Sequence, residues 1–254
     1  MDASQLFDTL KSFDQAEEGA PAHPDPEPDF RARIFSARSD GTNRLDLSNL
    51  DLSDASLCTL LDAIGSVEKH VQVVDMSMNF LTGSPQDNPG CEAGTGFANK
   101  FPDVQSLDLS GNSLTSIPGF VTAFRNLKEI DVSDNSSLAI FDTSVLPKSV
   151  RHVYARNCAL TKFPEPLDAL PGTSVLQLSG NRICTVPGDI GELENLVYLN
   201  ISDNEIENLP DEVAEADQLR ALVLYRNRRQ YGYSTDLNEF FSSRDALRSD
   251  QPAL

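Results

Sequence analysis

The sequence predicts an α/β repeat solenoid: a curved arc of about eight repeats with a parallel sheet on its concave side and a cap at each end. Three observations lead to this prediction. An apolar pattern returns every 23 residues, an L-x-L motif inside it alternates as a strand does, and the chain has no tryptophan and few aromatic residues. Since one repeat cannot bury its own apolar face, stacked repeats must share one aliphatic core.

The repeat pattern reads L-x-x-L-x-L-x-x-N-x-L and is clearest in VQSLDLSGNSLTSIP at 104–118. It extends over residues 42–229, with Leu50 at the turn position of a degenerate first repeat, an extra residue near Ser136 and an insertion at 82–103. An asparagine at the turn position can pair with backbone groups of neighbouring repeats that would otherwise be buried and unpaired. We expect a structural ladder formed by Asn79, Asn112, Asn135, Cys158, Asn181, Asn204 and Asn227.

This pattern resembles the leucine-rich repeat family, specifically its short intracellular class with 23-residue repeats and L-P after the turn. The resemblance covers residues 42–229. It implies a non-catalytic fold that binds proteins, since similar proteins act as regulatory subunits or adaptors for phosphatases, small GTPases and kinases. It also implies that cysteine is accepted at the ladder position.

The two ends of the chain differ from the repeats. Residues 1–29 are predicted to form a short helix with one apolar face and then an acidic, proline-rich flexible linker. That helix would be either a docking motif for a partner or a cap over the first repeat. Residues 30–41 are predicted to be the N-terminal cap. Residues 230–254 are predicted to be a C-terminal cap helix and tail, with an interaction helix as the alternative.

Composition and charge exclude several classes of protein. The net charge of −19 argues against binding to nucleic acid or an anionic membrane, because phosphate repels such a surface. The start of the chain does not resemble a secretory signal, and no apolar run is long enough to span a bilayer. The four scattered cysteines indicate reduced thiols. We therefore expect a cytoplasmic monomer, although a receptor ectodomain without its signal would look similar.

Cys158 follows His152 by six residues, which raises the question of a cysteine nucleophile. The repeat pattern places Cys158 inward at the ladder and His152 on the outward face, so the two cannot form a dyad. The three histidines have no metal-ligand spacing, and the glycine-rich stretch 90–100 lacks the ending of a phosphate loop. The sequence predicts no catalytic residue, no metal site and no cofactor.

The outward positions of the strands predict a binding face. Between the two inward residues of L-x-L, the side chain is aspartate in the first four repeats, and this acidic stripe either keeps the surface soluble or steers a basic partner segment. Repeats 5 to 8 add tyrosine and arginine, which are enriched at binding hot spots. The candidate partner-binding residues are Asp108, Glu129, Asp131, Arg151, His152, Tyr154, Arg156, Gln177, Tyr198, Asn200, Tyr225 and Arg226.

Together these features favour a non-catalytic scaffold or regulatory adaptor that binds a protein partner on its concave face. The alternative is a ligand-sensing or partner-sensing region of a larger signalling enzyme such as a receptor-like kinase. A hydrolase is the third hypothesis, and it would require an activity that survives Cys158→Ser.

Overall fold

The computed structural model describes residues 43–55, 57, 71–83 and 101–228. In this part of the chain, eight three-residue strands form one sheet whose spatial order follows the chain order. The predicted parallel sheet of eight repeats is confirmed. Its strands are β1 Arg44–Asp46, β2 Val73–Asp75, β3 Ser106–Asp108, β4 Glu129–Asp131, β5 His152–Tyr154, β6 Val175–Gln177, β7 Tyr198–Asn200 and β8 Ala221–Val223.

Neighbouring strands are parallel and pair without any shift in register. Leu107 of β3 lies opposite Ile130 of β4, and Val153 of β5 lies opposite Leu176 of β6. These middle residues are buried. The residues on either side of them point to the opposite face, as the alternation of a strand requires. Equivalent side chains of successive repeats therefore stand in rows across the sheet.

Five short 3₁₀ helices return the chain between β3 and β8. Four of them follow a proline, such as Pro118, whose fixed φ suits the start of a helix and whose missing N–H is not needed there. A 23-residue repeat leaves little chain for this connection, which explains why 3₁₀ turns replace α-helices here. They are η1 Gly119–Ala123, η2 Thr143–Val145, η3 Leu167–Ala169, η4 Gly188–Glu192 and η5 Asp211–Glu215.

One aliphatic core runs through all the described repeats. Its larger members, Phe101, Phe124 and Phe141, are fully or almost fully buried between the sheet and the connections. Burying each large apolar side chain stabilises the fold by about 1.5–3 kcal/mol. The core is continuous because each repeat is covered by its neighbours, not by a second layer of the same repeat.

The ladder asparagines join consecutive repeats through their amides. Asn112 Oδ1 accepts a hydrogen bond from the backbone N–H of Leu81 at 3.0 Å. Its Nδ2 donates to the carbonyl of Met76 in the preceding repeat at 3.0 Å and to that of Leu109 in its own repeat at 2.9 Å. The same three kinds of contact occur at Asn79, Asn135, Asn181, Asn204 and Asn227.

The residue before each ladder position has a left-handed backbone. Glycine adopts this conformation freely at Gly111 and Gly180, whereas a residue with a Cβ pays about 1–2 kcal/mol for it. The conformation turns the chain sharply off the strand just before the ladder side chain. In the other repeats the residue before the turn position is Asn49, Met78, Asp134, Asn157, Asp203 or Arg226, with φ between 51° and 58°.

Several predicted segments lie outside the described residues. These are the N-terminal helix and linker (1–29), the N-terminal cap (30–41), the C-terminal cap and tail (230–254) and most of the insertion at 82–103.

Candidate protein-binding face

The concave face consists of three rows of side chains, one from each outward position of the repeats. The first row is Arg44, Val73, Ser106, Glu129, His152, Val175, Tyr198 and Ala221. The central row is Asp46, Asp75, Asp108, Asp131, Tyr154, Gln177, Asn200 and Val223. The edge row, two positions further along each repeat, is Ser48, Ser77, Ser110, Ser133, Arg156, Ser179, Ser202 and Tyr225.

The aspartates of the central row form turns at the ends of their strands. Asp108 Oδ1 accepts a hydrogen bond from the N–H of Ser110 at 2.9 Å, and Asp131 Oδ1 accepts one from Ser133 at 2.8 Å. A short polar side chain that binds the backbone two residues on is an Asx turn. The turn recurs at Asp46, Asp75 and Asn200, each at 3.0 Å. One oxygen of each side chain is therefore structural.

Repeats 5, 6 and 8 lack this turn, because their central-row residues are Tyr154, Gln177 and Val223. Tyrosine and valine cannot accept the bond, and Gln177 makes no such contact in the described structure. Gln177 Oε1 is buried and has no hydrogen-bond partner among the described residues. The side chains at these positions are not required to close the strand ends.

Three carboxylates lie close together where β3 and β4 pair. Asp108 stands directly opposite Asp131 in the register, and Glu129 is in the neighbouring row. Glu129 Oε2 lies 3.2 Å from His152 Nδ1, and its Oε1 accepts a hydrogen bond from the Ser106 hydroxyl at 3.3 Å. The Arg156 guanidinium approaches Asp131 Oδ2 at 3.8 Å, which is an ion pair too long for a hydrogen bond.

The environment of this cluster disfavours further negative charge. Burial raises the pKa of Asp131 above its usual value, the charge of Asp108 raises it further, and the bonds from Ser133 and the charge of Arg156 oppose the shift. Burial also raises the pKa of the Tyr154 hydroxyl, with Glu129 and Asp131 adding to the effect. A cation placed among these groups would be stabilised.

The arginines proposed as contacts already bind groups of this chain. Arg151 Nη1 donates to the carbonyls of Lys148 at 3.1 Å and Val150 at 2.9 Å. Arg226 Nη1 pairs with Asp203 Oδ1 at 3.2 Å, and its guanidinium carbon lies 5.6 Å from the ring centre of Tyr225. These contacts orient the guanidinium groups on the surface.

Tyr154, Tyr198 and Tyr225 are half-buried on the concave side of their repeats. The alternation along β7 predicts that the Asn200 side chain points outward and is exposed. Asn200 is only 8% exposed, because its Oδ1 accepts bonds from Ser202 and its Nδ2 lies 3.4 Å from the Tyr198 hydroxyl. Asn200 therefore supports the strand end and contacts Tyr198, and its role as a partner contact stays a prediction.

Cys158 and His152 point to opposite sides of repeat 5. The Cys158 thiol is buried and lies 3.3 Å from the Val132 carbonyl and 3.4 Å from that of Arg156. Burial raises the pKa of this thiol to about 11, so the nucleophilic thiolate is scarce at neutral pH. His152 contacts Glu129 on the concave face instead.

The described ranges contain neither a candidate metal site nor a membrane-spanning helix. No group of three His, Cys, Asp or Glu side chains there could hold a metal ion. No helix in that part of the chain is both long and apolar enough to cross a membrane.

The sequence interpretation missed the serines of the edge row. Ser133 and Ser202 are buried, and their N–H groups complete the Asx turns of Asp131 and Asn200. The D-x-S spacing after the first four strands, repeated as N-x-S after β7, was the signal that could have identified them.

Sequence comparisons find similarity to repeat proteins. A profile described as Leucine Rich Repeat matches residues 103–124 and 195–215. Leucine-rich repeat-containing protein 58 of Xenopus tropicalis is 33% identical over 100 residues, which cover 39% of this chain and 28% of that protein. Receptor-like protein 35 of Arabidopsis thaliana is 34% identical over 111 residues, which cover 40% of this chain and 12% of that protein. The chain thus spans less than a third of either relative.

A comparison with solved structures supports the fold. The functional domain of InlJ from Listeria monocytogenes, whose description includes a cysteine ladder, superposes with a TM-score of 0.54 at 16% identity. The superposition covers 76% of this chain and 36% of that domain.

Proposed function

Because the chain belongs to the leucine-rich repeat family, we propose that it is a non-catalytic scaffold or regulatory adaptor that binds a protein partner on its concave face. The main contact lies on β5 to β8. One observation carries this proposal: the Asx turns that close strands β1 to β4 are absent at Tyr154, Gln177 and Val223. Side chains with no part in closing the strand are available for binding.

The types of residue on this part of the face support a protein partner. Tyr154, Tyr198 and Tyr225 offer large, half-buried rings with polar ends, and tyrosine is common at the centre of protein interfaces. Arg156 and Arg226 form exposed ion pairs with Asp131 and Asp203, and arginine, like tyrosine, is enriched at binding hot spots.

Affinity capture from a lysate of the source cells, followed by mass spectrometry, tests this proposal. Wild type is compared with Tyr154→Ala/Tyr198→Ala/Tyr225→Ala, and the matched control is Ile140→Ala, which removes an exposed apolar side chain outside the three rows. We expect a protein that wild type and the control retain and the triple variant loses. Identical sets from all three would contradict binding at this face, provided that their thermal melts agree.

The chemistry of the described cysteines supports a reducing, intracellular setting and a non-catalytic role. Cys158 and Cys184 are both unpaired, and burial suppresses the thiolate of Cys158. A reaction that depends on Cys158 would end on Cys158→Ser, whereas a scaffold would keep its partner. Retention of the captured partner by Cys158→Ser is the expected result.

The similarity to receptor-like protein 35 favours a second candidate, the sensing region of a larger signalling protein. In that case the sheet would bind a ligand or partner for a catalytic domain on the same polypeptide. Immunoblotting of source cells with an antibody against the repeats decides between the two. A band near 27.8 kDa supports the scaffold, and a much larger band supports the sensor.

A further inference from the structure

We propose that the partner segment on this face is extended and basic, and that its lysine or arginine side chain binds between Asp108 and Asp131, where the Arg156 guanidinium now approaches. This inference rests on the proposed function and specifies the chemistry of the partner. The binding surface is defined by Asp108, Glu129, Asp131, Tyr154 and Gln177.

The negative charges on this surface are only partly balanced. Asp108, Glu129 and Asp131 carry three carboxylates within two neighbouring rows; Arg156 pairs with Asp131, and His152 contacts Glu129. The contact of Arg156 with Asp131 is 3.8 Å long, and the Arg156 side chain is about half exposed. Exposed ion pairs of this kind are weak. The cluster therefore retains an excess of negative charge that a second cation would neutralise.

Asp108 and Asp131 each use one carboxylate oxygen, Oδ1, for an Asx turn. Asp108 Oδ1 is occupied by its Asx turn, and among the described residues no hydrogen-bond donor reaches its Oδ2. Asp131 uses Oδ1 for its own turn and offers Oδ2 only to the distant Arg156. The turns hold both carboxylates rigidly, with one oxygen of each available. A Lys or Arg head group placed between them would make short, charge-assisted hydrogen bonds.

The neighbouring strands β5 and β6 add a tyrosine and a glutamine to this surface. Tyr154 is the next member of the central row after Asp131, and Gln177 follows it. A tyrosine ring can pack against the aliphatic stem of a lysine or arginine and attract its charge. Gln177 Oε1 is a buried acceptor without a donor among the described residues, so the Gln177 amide would have to turn outward to accept an N–H of the bound segment.

The distance between central-row residues two strands apart matches the length of about three residues of an extended peptide that crosses the strands. Strands in a sheet lie about 4.8 Å apart, so the distance from β4 to β6 is about 10 Å. An extended peptide advances about 3.3 Å per residue and covers this distance in about three residues. A segment crossing the strands would therefore place a cation at Asp131 and a donor three residues away at Gln177.

Removal of the Arg156 side chain distinguishes a basic partner segment from an acidic one. The edge row contains serine in six of the other seven repeats and Tyr225 in repeat 8, so Arg156→Ser restores the common residue. If Arg156 occupies the place of the partner's cation, its removal strengthens binding of a basic segment. If Arg156 instead recognises an acidic partner, its removal weakens binding. The two possibilities predict opposite signs.

The test uses the full chain and two fluorescein-labelled pools of ten-residue peptides. The pools are degenerate except for a central arginine in one and a central glutamate in the other, and binding is followed by fluorescence anisotropy. The variants are Arg156→Ser and Asp108→Asn, which keeps the turn acceptor as Asn200 does. Asp189→Asn, in the exposed helix η4, is the matched control for loss of one carboxylate. Thermal melts verify that each variant is folded.

We expect wild type to prefer the arginine pool. Arg156→Ser should strengthen that binding about two- to fivefold, and Asp108→Asn should weaken it by a similar factor, while Asp189→Asn leaves it unchanged. Absence of binding to either pool, preference for the glutamate pool, or weaker binding by Arg156→Ser overturns the inference. If the captured partner still depends on the three tyrosines in that case, the proposed function stands without a basic segment. If that dependence is also absent, both fail.

Discussion

Cys158 fits the ladder because of an extra residue one repeat earlier. In the other ladder positions, asparagine Oδ1 accepts a backbone N–H of the preceding repeat, such as that of Leu160 at Asn181. The equivalent N–H before Cys158 belongs to Leu138, and the extra residue near Ser136 lets it donate to the Asn135 carbonyl at 3.0 Å. The position therefore needs a donor, which a thiol supplies, and no acceptor.

This local arrangement predicts that two reciprocal substitutions each destabilise the fold, for different reasons. Cys158→Asn should destabilise the fold by about 1 kcal/mol, because the introduced Oδ1 is buried without a donor. Asn181→Cys should cost about 1–3 kcal/mol, because the Leu160 N–H loses its acceptor. Urea unfolding of both variants measures the free energies. A stabilising Cys158→Asn would show that the Leu138 N–H can return to the ladder.

Residue types alone predicted the positions of these side chains but not their exposure. Cys158 and the asparagines could be placed from the 23-residue period, because that period determines the register. The burial of Asn200 depends on how the neighbouring Tyr198 side chain lies across it. Such rotamer choices come from three-dimensional packing, and a single sequence does not encode them in a readable pattern.

At the scale of the element, strands β1 to β4 and β7 end in a turn closed by a central-row side chain. The L-x-L motif predicted the strands correctly, because apolar alternation with period two is a strong signal. The D-x-S turn next to it was read only as a stripe of surface charge. The structure adds a structural use for those aspartates, so their presence by itself is not an indication of binding.

The turn at the end of β4 predicts how stability depends on pH. Burial raises the pKa of Asp131 in the folded state, so the folded protein holds its proton more tightly than the unfolded chain does. Stability from this group is therefore lost as pH rises from the usual aspartate pKa through the raised one. Asp131→Asn, which retains the turn acceptor, should stabilise the protein at pH 7 by less than about 1 kcal/mol.

Urea unfolding at pH 7 and at pH 3 measures this effect. The gain from Asp131→Asn should disappear at pH 3, where the aspartate is protonated in both states. Asp142→Asn, at the exposed N-terminus of η2, is a control that also keeps its backbone contact with Ser144. Destabilisation by Asp131→Asn at pH 7 would contradict the prediction and would mean that the Arg156 pair outweighs burial.

At the scale of the molecule, each strand pairs only with the strands before and after it in the chain. Stability is then a sum of repeat and neighbour contributions, and damage to one interior repeat removes support from both sides. This arrangement was predictable from the repeat, because a 23-residue unit with one short strand can bury its apolar face only by stacking on its neighbours. The ends were predicted less specifically, since they have no periodic pattern.

The difference between inward and outward positions predicts a large asymmetry. Leu178→Asp, at a fully buried position of repeat 6, should destabilise the array by more than about 4 kcal/mol, because a charge would be buried without a partner. Tyr198→Ala, on the concave face, should leave the melting temperature nearly unchanged and weaken partner binding. Thermal melts compare the two. Equal destabilisation would mean that the inward and outward positions are misassigned.

The joint between repeats 4 and 5 differs from the other joints in what holds it together. Cys158 replaces the buried amide there, while the contacts His152–Glu129, Arg156–Asp131 and Asn157–Asp134 cross the same joint at the surface. The hydrogen bonds of buried amides do not depend on the ionic strength of the solvent, whereas the attraction between exposed charges weakens as the salt concentration rises. The contribution of the charge pairs to this joint therefore falls as the salt concentration rises, while the buried contact of the Cys158 thiol does not change.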